Sequence, residues 1–144
     1  MFLSSYVHSL DSKNRLTIPS KYRDQLATGL VLTPNAVHPC IDLYPQSEWE
    51  KLTEAINQLK LLDPDASDLR RLVFSDAEDL RPDGQGRIVL NQDLREHANI
   101  ETEVLLAGGG NSVELWNPAA WREHRAKQRS DRGAGRTLLT SLKV

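Results

Sequence analysis

The pattern of hydrophobic and polar positions predicts a short series of elements in the first third of the chain. A segment at residues 5–11 ends in an aspartate and leads into an aliphatic strand at residues 15–18. A helical turn that begins with a proline follows at residues 19–26. Two apolar runs at residues 30–33 and 40–44, separated by turn-forming residues, predict a hairpin. The series therefore reads β-β-α-β-β.

The same series is predicted a second time further along the chain. A segment at residues 78–83 again ends in an aspartate and leads into an aliphatic strand at residues 87–90. A short helix is indicated at residues 91–98. Apolar runs at residues 104–107 and 112–116 flank a glycine-rich turn and predict a second hairpin. The chain therefore contains one structural unit in two copies.

The two units align without a gap when the sequence is shifted by 72 positions against itself. Each unit has about 45 residues, below the size at which a single hydrophobic core usually sustains a fold. We therefore expect each half to need the other in order to fold. The matched pairs are Asp11 with Asp83, Arg15 with Arg87, Leu16 with Ile88, Ile18 with Leu90, Arg23 with Arg95, Leu26 with Ala98, Ile41 with Val113, Asp42 with Glu114, Leu43 with Leu115, Tyr44 with Trp116, and Trp49 with Trp121.

Two helices are predicted between the units. Ser47 and Glu50 form a capping-box pattern, and apolar positions at helical spacing continue from there to Leu62. Asp63, followed by a proline, is expected to end this helix. A second helical stretch over residues 65–75 then links the two units.

Capping residues also mark helices in the second half of the chain. Asn91 and Asn117 are expected to cap the helices that follow them. Beyond Trp121 the final helix becomes strongly polar. The last dozen residues, which include Gly133 and Gly135, are expected to be frayed or disordered.

Charge is distributed unevenly, although the net charge is only −2. Cations outnumber anions in residues 11–24 and again in residues 122–143, whereas residues 48–68 are mostly acidic. Phosphate binding depends on such a local excess of Lys and Arg more than on the total. The first cluster is a candidate phosphate-facing surface, and the second fits a solvated helix and tail equally well. The cations are Lys13, Arg15, Lys21 and Arg23 in the first cluster, and Arg122, Arg125, Lys127, Arg129, Arg132, Arg136 and Lys143 in the second.

The residue types present argue against several other classes of protein. The single cysteine, Cys40, cannot form an intramolecular disulfide or a cysteine-rich zinc site, and we expect it to be a small buried residue. The scattered histidines and the carboxylates of residues 76–79 lack a nucleophile or a metal-ligand set, so we predict no enzyme activity, metal or cofactor.

The apolar runs are far shorter than the roughly 20 residues that span a bilayer, and no signal-peptide core is visible. We therefore expect a cytosolic protein without a membrane or small-molecule partner.

The motif Asp-x-x-x-Arg occurs at equivalent positions of both units, from Asp11 to Arg15 and from Asp83 to Arg87. The residue before each arginine is Asn or Gly, which permits a tight turn with positive φ, and the aspartate and arginine can bond across that turn. Such a turn would hold the arginine in a fixed place. For the aspartates a structural clamp and a functional role both stay open. Lys13 is not required by a clamp, which favours a functional role for it.

Residues along nearly the whole chain match the pattern of a known family. They are Phe2, Leu10, Asp11, Lys13, Arg15, Leu16, Ile18, Pro19 and Tyr22, then His38, Pro39, Leu43, Tyr44, Pro45 and Trp49, and finally Asp83, Gly84, Gly86, Arg87, Glu114, Leu115, Trp116 and Trp121. In these positions the chain resembles the MraZ family. The first turn differs from the common family pattern, because Asn14 stands where relatives commonly have glycine. Asn tolerates left-handed geometry best among the other residues, so we expect the turn to survive.

The resemblance implies an α+β, mainly β fold of two tandem SpoVT-AbrB-type units. These swapped-hairpin, AbrB-like β-barrel half-units would form an intramolecular pseudo-dimer with linking and C-terminal helices. The resemblance also implies a ring-shaped homo-oligomer and a nucleoid-associated transcriptional regulator. Its partner would be double-stranded DNA at direct repeats in the promoter of the division and cell-wall gene cluster. The expected segments are a first repeat at 5–48, a helical linker at 49–76, a second repeat at 77–120, and a basic C-terminal helix and tail at 121–144.

Carried over to this chain, the resemblance places Arg15 and Arg87 at the DNA-facing surface, with Lys13 beside the first. A protein-interaction or assembly scaffold of the same fold is the alternative. Salt-sensitive retention of DNA would separate the two, because phosphate contacts weaken steeply as salt rises. The candidate DNA-binding residues are Lys13, Arg15, Lys21, Arg23 and Arg87, and the candidate turn clamps are Asp11 and Asp83.

Overall fold

The computed structural model describes residues 1–131 and 133–142, and in that part of the chain it contains eight strands and six helices. The predicted order β-β-α-β-β occurs twice, which confirms the repeat of elements. The elements are β1 (Ser5–Ser9), β2 (Arg15–Thr17), α1 (Ser20–Leu26), β3 (Leu30–Pro34), β4 (Ile41–Pro45), α2 (Gln46–Asn57), α3 (Pro64–Phe74), β5 (Glu78–Leu80), β6 (Arg87–Val89), α4 (Gln92–His97), β7 (Glu103–Gly108), β8 (Val113–Trp116), α5 (Pro118–Ser130) and α6 (Gly133–Ser141).

The two repeats exchange strands. Six antiparallel strands form one sheet in the order β1-β7-β8-β4-β3-β5, so the first strand of each repeat pairs with the third strand of the other. The two hairpins, β3 with β4 and β7 with β8, meet in the middle of this sheet. The remaining strands, β2 and β6, pair only with each other and form a separate two-stranded ribbon. Every sheet therefore contains strands from both halves of the chain.

The six-stranded sheet is open, which differs from the expected barrel. Its edge strands are β1 and β5, and they do not pair with each other in the described residues. The physical reason is that the ribbon strands β2 and β6 direct their backbone hydrogen bonds to each other and do not join the larger sheet. The fold is accordingly a mixed α+β arrangement without a closed barrel in the described part of the chain.

The main hydrophobic core lies between the ribbon and one face of the sheet. Leu16 and Ile88 are paired directly across the ribbon and are both buried. The sheet contributes alternate residues of its strands, as expected for a sheet that buries one face. Phe2 and Tyr22 close one end with an edge-to-face contact, their ring centroids 5.2 Å apart. The sheet residues in this core are Leu30, Leu32, Ile41, Leu43, Val104, Leu106, Val113 and Leu115.

Helices pack on the other face of the sheet. After the first repeat, α2 and α3 pack on β3 and β4, and the Trp49 and Phe74 rings lie 5.8 Å apart. A buried hydroxyl fixes this layer, because Thr33 Oγ1 donates to the Val73 carbonyl at 2.7 Å. After the second repeat, α5 packs on β7, and Trp121 lies against Trp116 with centroids 5.6 Å apart. Each repeat is therefore followed by a helix that carries its tryptophan onto the sheet.

The first linking helix differs from the sequence prediction at both ends. It begins at Gln46 after Pro45, and no side chain caps its first turn, so the predicted Ser47 capping box is wrong. It ends at Asn57, five residues before the predicted Leu62. Asp63 has a different role from the predicted one, because its carboxylate accepts a hydrogen bond from the N–H of Asp65 and caps α3.

The capping residues predicted in the second repeat are confirmed. The Asn91 side chain accepts from the N–H of Leu94, and the Asn117 side chain accepts from two N–H groups of the first turn of α5. Cys40 is fully buried, as predicted. None of the helices in the described ranges combines the length and the apolar composition needed to cross a bilayer.

The C-terminal segment is more regular than predicted. Residues 133–141 form α6, so the prediction of a frayed or disordered segment is wrong for them. Leu and Arg are good helix formers, and the hydroxyls of Thr137 and Thr140 bond to backbone carbonyls four residues earlier. Arg132 and Lys143, which belong to the predicted cationic excess, lie outside the described residues.

A chain truncated after residue 62 should fail to fold as a monomer. It would retain β1 to β4, but β1 and β2 would lose their partner strands β7 and β6, and β3 and β4 would each lose one of their two partners. The main core would then lose the side chains of the second repeat and face water. Circular dichroism melting and light scattering would check this against the full chain. A soluble, monomeric truncated chain that unfolds cooperatively would show that one repeat suffices.

Candidate nucleic-acid interface

The ribbon of β2 and β6 has one apolar face and one polar face. Leu16 and Ile88 point into the core, so their neighbours along each strand point outward. Arg15 and Arg87 both lie on this outward face, at diagonal positions of the two strands. The register pairs Arg15 with Val89, Leu16 with Ile88, and Thr17 with Arg87. The fold therefore brings the two motif arginines, 72 positions apart in sequence, onto one surface.

The turn before β2 is closed by Asp11. Its Oδ1 accepts from the backbone N–H groups of Lys13 and Arg15, both at 2.9 Å. Its Oδ2 accepts from Nε of Arg15 at 2.6 Å. Asn14 supplies the left-handed conformation that the turn requires, with φ of 59°. The aspartate thereby bonds to both the backbone and the side chain of Arg15.

The turn before β6 repeats this geometry. Oδ1 of Asp83 accepts from the N–H groups of Gln85 and Arg87 at 2.9 Å each, and Oδ2 accepts from Nε of Arg87 at 2.8 Å. Gly86 takes the left-handed position, with φ of 75°. In each turn the bonds described engage only Nε of the arginine. Most of the five N–H donors of each guanidinium therefore stay available to a ligand.

Hydrogen bonding keeps both turn aspartates ionised. The N–H of Arg15 lowers the pKa of Asp11 to about 2, with further help from the Arg15 side chain and the N–H of Lys13. The pKa of Asp83 is also lowered, mainly by the N–H of Arg87 and then by its side chain. Both carboxylates are thus negatively charged at neutral pH and remain bonded to their arginines.

The turn of each repeat is tied to the residue that directly follows the ribbon strand of the other. The N–H of Ile18 donates to the Gly86 carbonyl at 2.8 Å, and the N–H of Leu90 donates to the Asn14 carbonyl at 3.0 Å. Arg23 covers the second turn, because a Cβ at Gly86 would come within 2.6 Å of its Nε. That Nε also donates to the Ile18 carbonyl at 3.0 Å. Arg23, a candidate DNA contact, therefore already supports the ribbon.

Two supporting residues were missing from the sequence-based set. Arg95, the repeat partner of Arg23, makes the equivalent bond from Nε to the Leu90 carbonyl at 3.0 Å. The repeat alignment paired these arginines and is the signal that could have identified Arg95. His8 lies with Nδ1 2.6 Å from the Thr17 carbonyl and links β1 to the ribbon. No local motif indicates that contact.

The two lysines of the first cationic cluster occupy different places. Lys13 is exposed at the tip of the first turn, directly beside the ribbon. Lys21 is exposed in the first turn of α1. Because neither side chain is buried, each can contact phosphate without a rearrangement of the core.

A separate cluster of ligand-type side chains lies on the opposite, helix-covered face of the sheet. Cys40, Asp42 and Glu114 place ligand atoms within 4.8 Å of one another. Burial raises the pKa of the Cys40 thiol and the pKa of the Asp42 carboxyl. The raised pKa disfavours the ionised form of each side chain, which is the form that binds metals. Asp42 also accepts from Nδ2 of Asn35 at 3.1 Å. The cluster therefore favours internal hydrogen bonding over metal ligation.

Comparison with known proteins identifies the family. A family model described as "MraZ protein, putative antitoxin-like" matches residues 1–72 and 73–139. The chain belongs to the MraZ family. Its relatives include proteins named "Transcriptional regulator MraZ" from Pediococcus pentosaceus and Herpetosiphon aurantiacus, each 43% identical over 85% of both chains. Another MraZ protein with the same name, from Mycobacterium sp. strain KMS, is 38% identical over 87% of both chains. The resemblance to MraZ proteins seen in the sequence is thereby confirmed.

The lowered pKa of Asp11 predicts an acid-dependent contribution to stability. A carboxyl whose folded pKa lies below its unfolded value stabilises the fold above about pH 4, and this contribution is lost as the pH falls toward 2. Asp11→Ala should therefore melt at a lower temperature than wild type at pH 7, and the difference should shrink below about pH 3. Thermal melts across this range would measure it, with Asp24→Ala as the control for losing an exposed carboxylate. An unchanged melting temperature at pH 7 would argue against the clamp.

Proposed function

We propose that this chain is a sequence-specific DNA-binding transcriptional regulator and that the outward face of the ribbon contacts double-stranded DNA. The observation that carries the proposal is the pair of clamped arginines, Arg15 and Arg87, on one face of a ribbon built by both repeats. The name that its relatives carry, transcriptional regulator, supports the same role.

The shape of the ribbon suits the major groove. A two-stranded β-ribbon fits a groove about 12 Å wide, and arginine is the commonest side chain to bond guanine O6 and N7. Diagonal positions in a strand pair lie about 7–8 Å apart, so Arg15 and Arg87 can contact nearby bases. The clamps hold each Nε and leave the outer N–H groups to bond base edges. The bonded aspartates also limit how far each arginine can move, which reduces the entropy lost on binding.

Other cations position the ribbon on the DNA backbone. We assign Lys13, Lys21 and Arg23 to phosphate contacts, which fix register but do not read sequence. Asp11 and Asp83 act as turn clamps in this proposal. The net charge of −2 provides little general attraction to DNA. Affinity must therefore come from the local cationic surface, repeated over several chains.

We infer that several chains assemble into a closed ring in the cytoplasm, associated with the nucleoid. Two similar but unequal repeats can form head-to-tail contacts, which close into a ring when the rotation allows. The exchange of strands between repeats supports the SpoVT-AbrB-type, swapped-hairpin pseudo-dimer, with units at residues 5–48 and 77–120. Direct repeats in the promoter of the division and cell-wall gene cluster are the proposed target. The chain acts as a regulator and not as an enzyme.

Arg15→Ala should lower specific DNA affinity by about tenfold or more without unfolding the protein. A bidentate contact to a base is worth about 1–3 kcal/mol of discrimination, whereas a partly exposed arginine contributes little to the core. A mobility-shift titration and a thermal melt would measure the two effects. Arg71→Ala is the matched control, because Arg71 is also paired with an aspartate but lies on α3. If the Arg15→Ala protein melts normally and binds its operator with wild-type affinity, the ribbon is not the DNA interface.

Binding should also depend on the number of operator repeats. Chains in one assembly bind neighbouring repeats at a high effective concentration. An operator reduced to one repeat should therefore bind at least about tenfold more weakly than one with several. Titrations at matched salt would compare the two operators. Equal affinity for both operators would contradict binding through an assembly of chains. If neither operator is retained in a salt-sensitive way, the alternative function as a scaffold is favoured.

A further inference from the structure

The outward face of the ribbon carries two residues besides the clamped arginines. Val89 lies directly opposite Arg15 in the strand pair. Thr17 lies directly opposite Arg87. The strand residues beside Val89 and Thr17 point into the core, so these two side chains point away from it. The candidate DNA interface therefore contains two pairs of side chains, each with one arginine.

The two pairs occupy equivalent positions of the repeats but differ in chemistry. Thr17 and Val89 are separated by 72 positions, which is the spacing of the repeat. Thr17 is half-buried and offers a hydroxyl, a group that can bond to more than one base. Val89 is 49% exposed, and its side chain has neither a donor nor an acceptor. The ribbon therefore presents an apolar surface beside Arg15 and a hydroxyl beside Arg87.

The position of Val89, more than its exposure, indicates a role in binding. Val7 in β1 is 50% exposed, and isolated apolar residues are common on protein surfaces. Side chains directly opposite each other in a strand pair, however, have Cβ atoms about 4.5–5.5 Å apart. Successive bases of a DNA strand are about 3.4 Å apart along the helix axis. A ribbon that brings Arg15 to a base edge therefore brings Val89 within about two base pairs of it.

The side chain of Val89 matches one chemical group in the major groove, the C5-methyl group of thymine. Contact between the two removes apolar surface of both partners from water. Against the amino group or ring nitrogen of another base, the same valine would displace water and leave a donor or acceptor without a partner. The contact therefore favours thymine and also disfavours the other bases.

We propose that Val89 determines specificity for a thymine close to the base that Arg15 contacts. This inference rests on the proposed function and adds a residue that reads a base through apolar contact. Thr17 does not impose the same requirement, because its hydroxyl can bond to different bases. The difference breaks the approximate two-fold symmetry of the ribbon. One orientation of the chain on DNA is then favoured, as binding to direct repeats requires.

Replacement of thymine by uracil tests the contact, because uracil lacks the C5-methyl group and keeps the base pairing of thymine. The probe is a duplex with one operator repeat from the DNA that the protein protects upstream of its own gene, with each thymine replaced in turn. Mobility-shift titrations at fixed salt should find a position at which uracil weakens wild-type binding by about fourfold, the effect of one buried methyl group. Val89→Ala should bind the original duplex more weakly and should bind the thymine and uracil duplexes equally.

Two variants provide matched controls. Val7→Ala removes an equally exposed valine from β1, outside the ribbon, and should keep both the affinity and the uracil sensitivity of wild type. Thr17→Ala changes the equivalent position of the ribbon and should keep the uracil sensitivity at the same thymine. The thermal melt of Val89→Ala should stay close to that of wild type, because Val89 lies outside the core.

The outcomes separate this inference from the proposed function. Specific binding without a uracil-sensitive position would overturn the inference and leave the proposed function standing. A uracil sensitivity that persists in Val89→Ala, or that Thr17→Ala or Val7→Ala abolishes, would overturn it in the same way. If wild type binds no duplex in a specific and salt-sensitive way, the proposed function is wrong and the inference fails with it.

Discussion

Each repeat lacks the strand that its own first strand needs, and the other repeat supplies it. The pairings of β1 with β7, β5 with β3, and β2 with β6 all join the two halves of the chain. A unit of about 45 residues buries too little apolar surface alone. The exchange lets the apolar side chains of both units pack in one core. The sheet, the ribbon and the orientation of the motif turns all follow from the exchange.

The ribbon shows how the core and the candidate interface depend on each other. Leu16 and Ile88 fix one face of the strand pair in the core, which forces Arg15 and Arg87 to the other face. The turn aspartates then restrict the arginine side chains through Nε. Hydrophobic burial therefore sets the direction of each arginine, and charge-assisted hydrogen bonds set its position.

The two repeats have diverged where they are not constrained by the shared core. The turns keep the same hydrogen bonds, with Asn14 and Gly86 in equivalent left-handed positions. The helices after the repeats differ, because α3 packs on the fold whereas α6 exposes its leucines. The helices α2 and α3 together contain five acidic residues and three Lys or Arg, whereas α5 and α6 contain one acidic residue and five Lys or Arg. The geometry that the two repeats share lies at the ribbon, and their differences lie in the helices that follow them.

The sequence by itself determined the elements and their repetition, because alternation, turn residues and most helix caps are local properties. It also indicated the bond between Asp11 and Arg15, which are separated by a single tight turn. It misplaced the end of α2 and missed α6, since helix ends depend on small competing energies. Only the tertiary structure decided that Arg15 and Arg87 share one face and that Cys40 meets Asp42 and Glu114. These contacts follow from the register of strands distant in the chain, which local patterns do not encode.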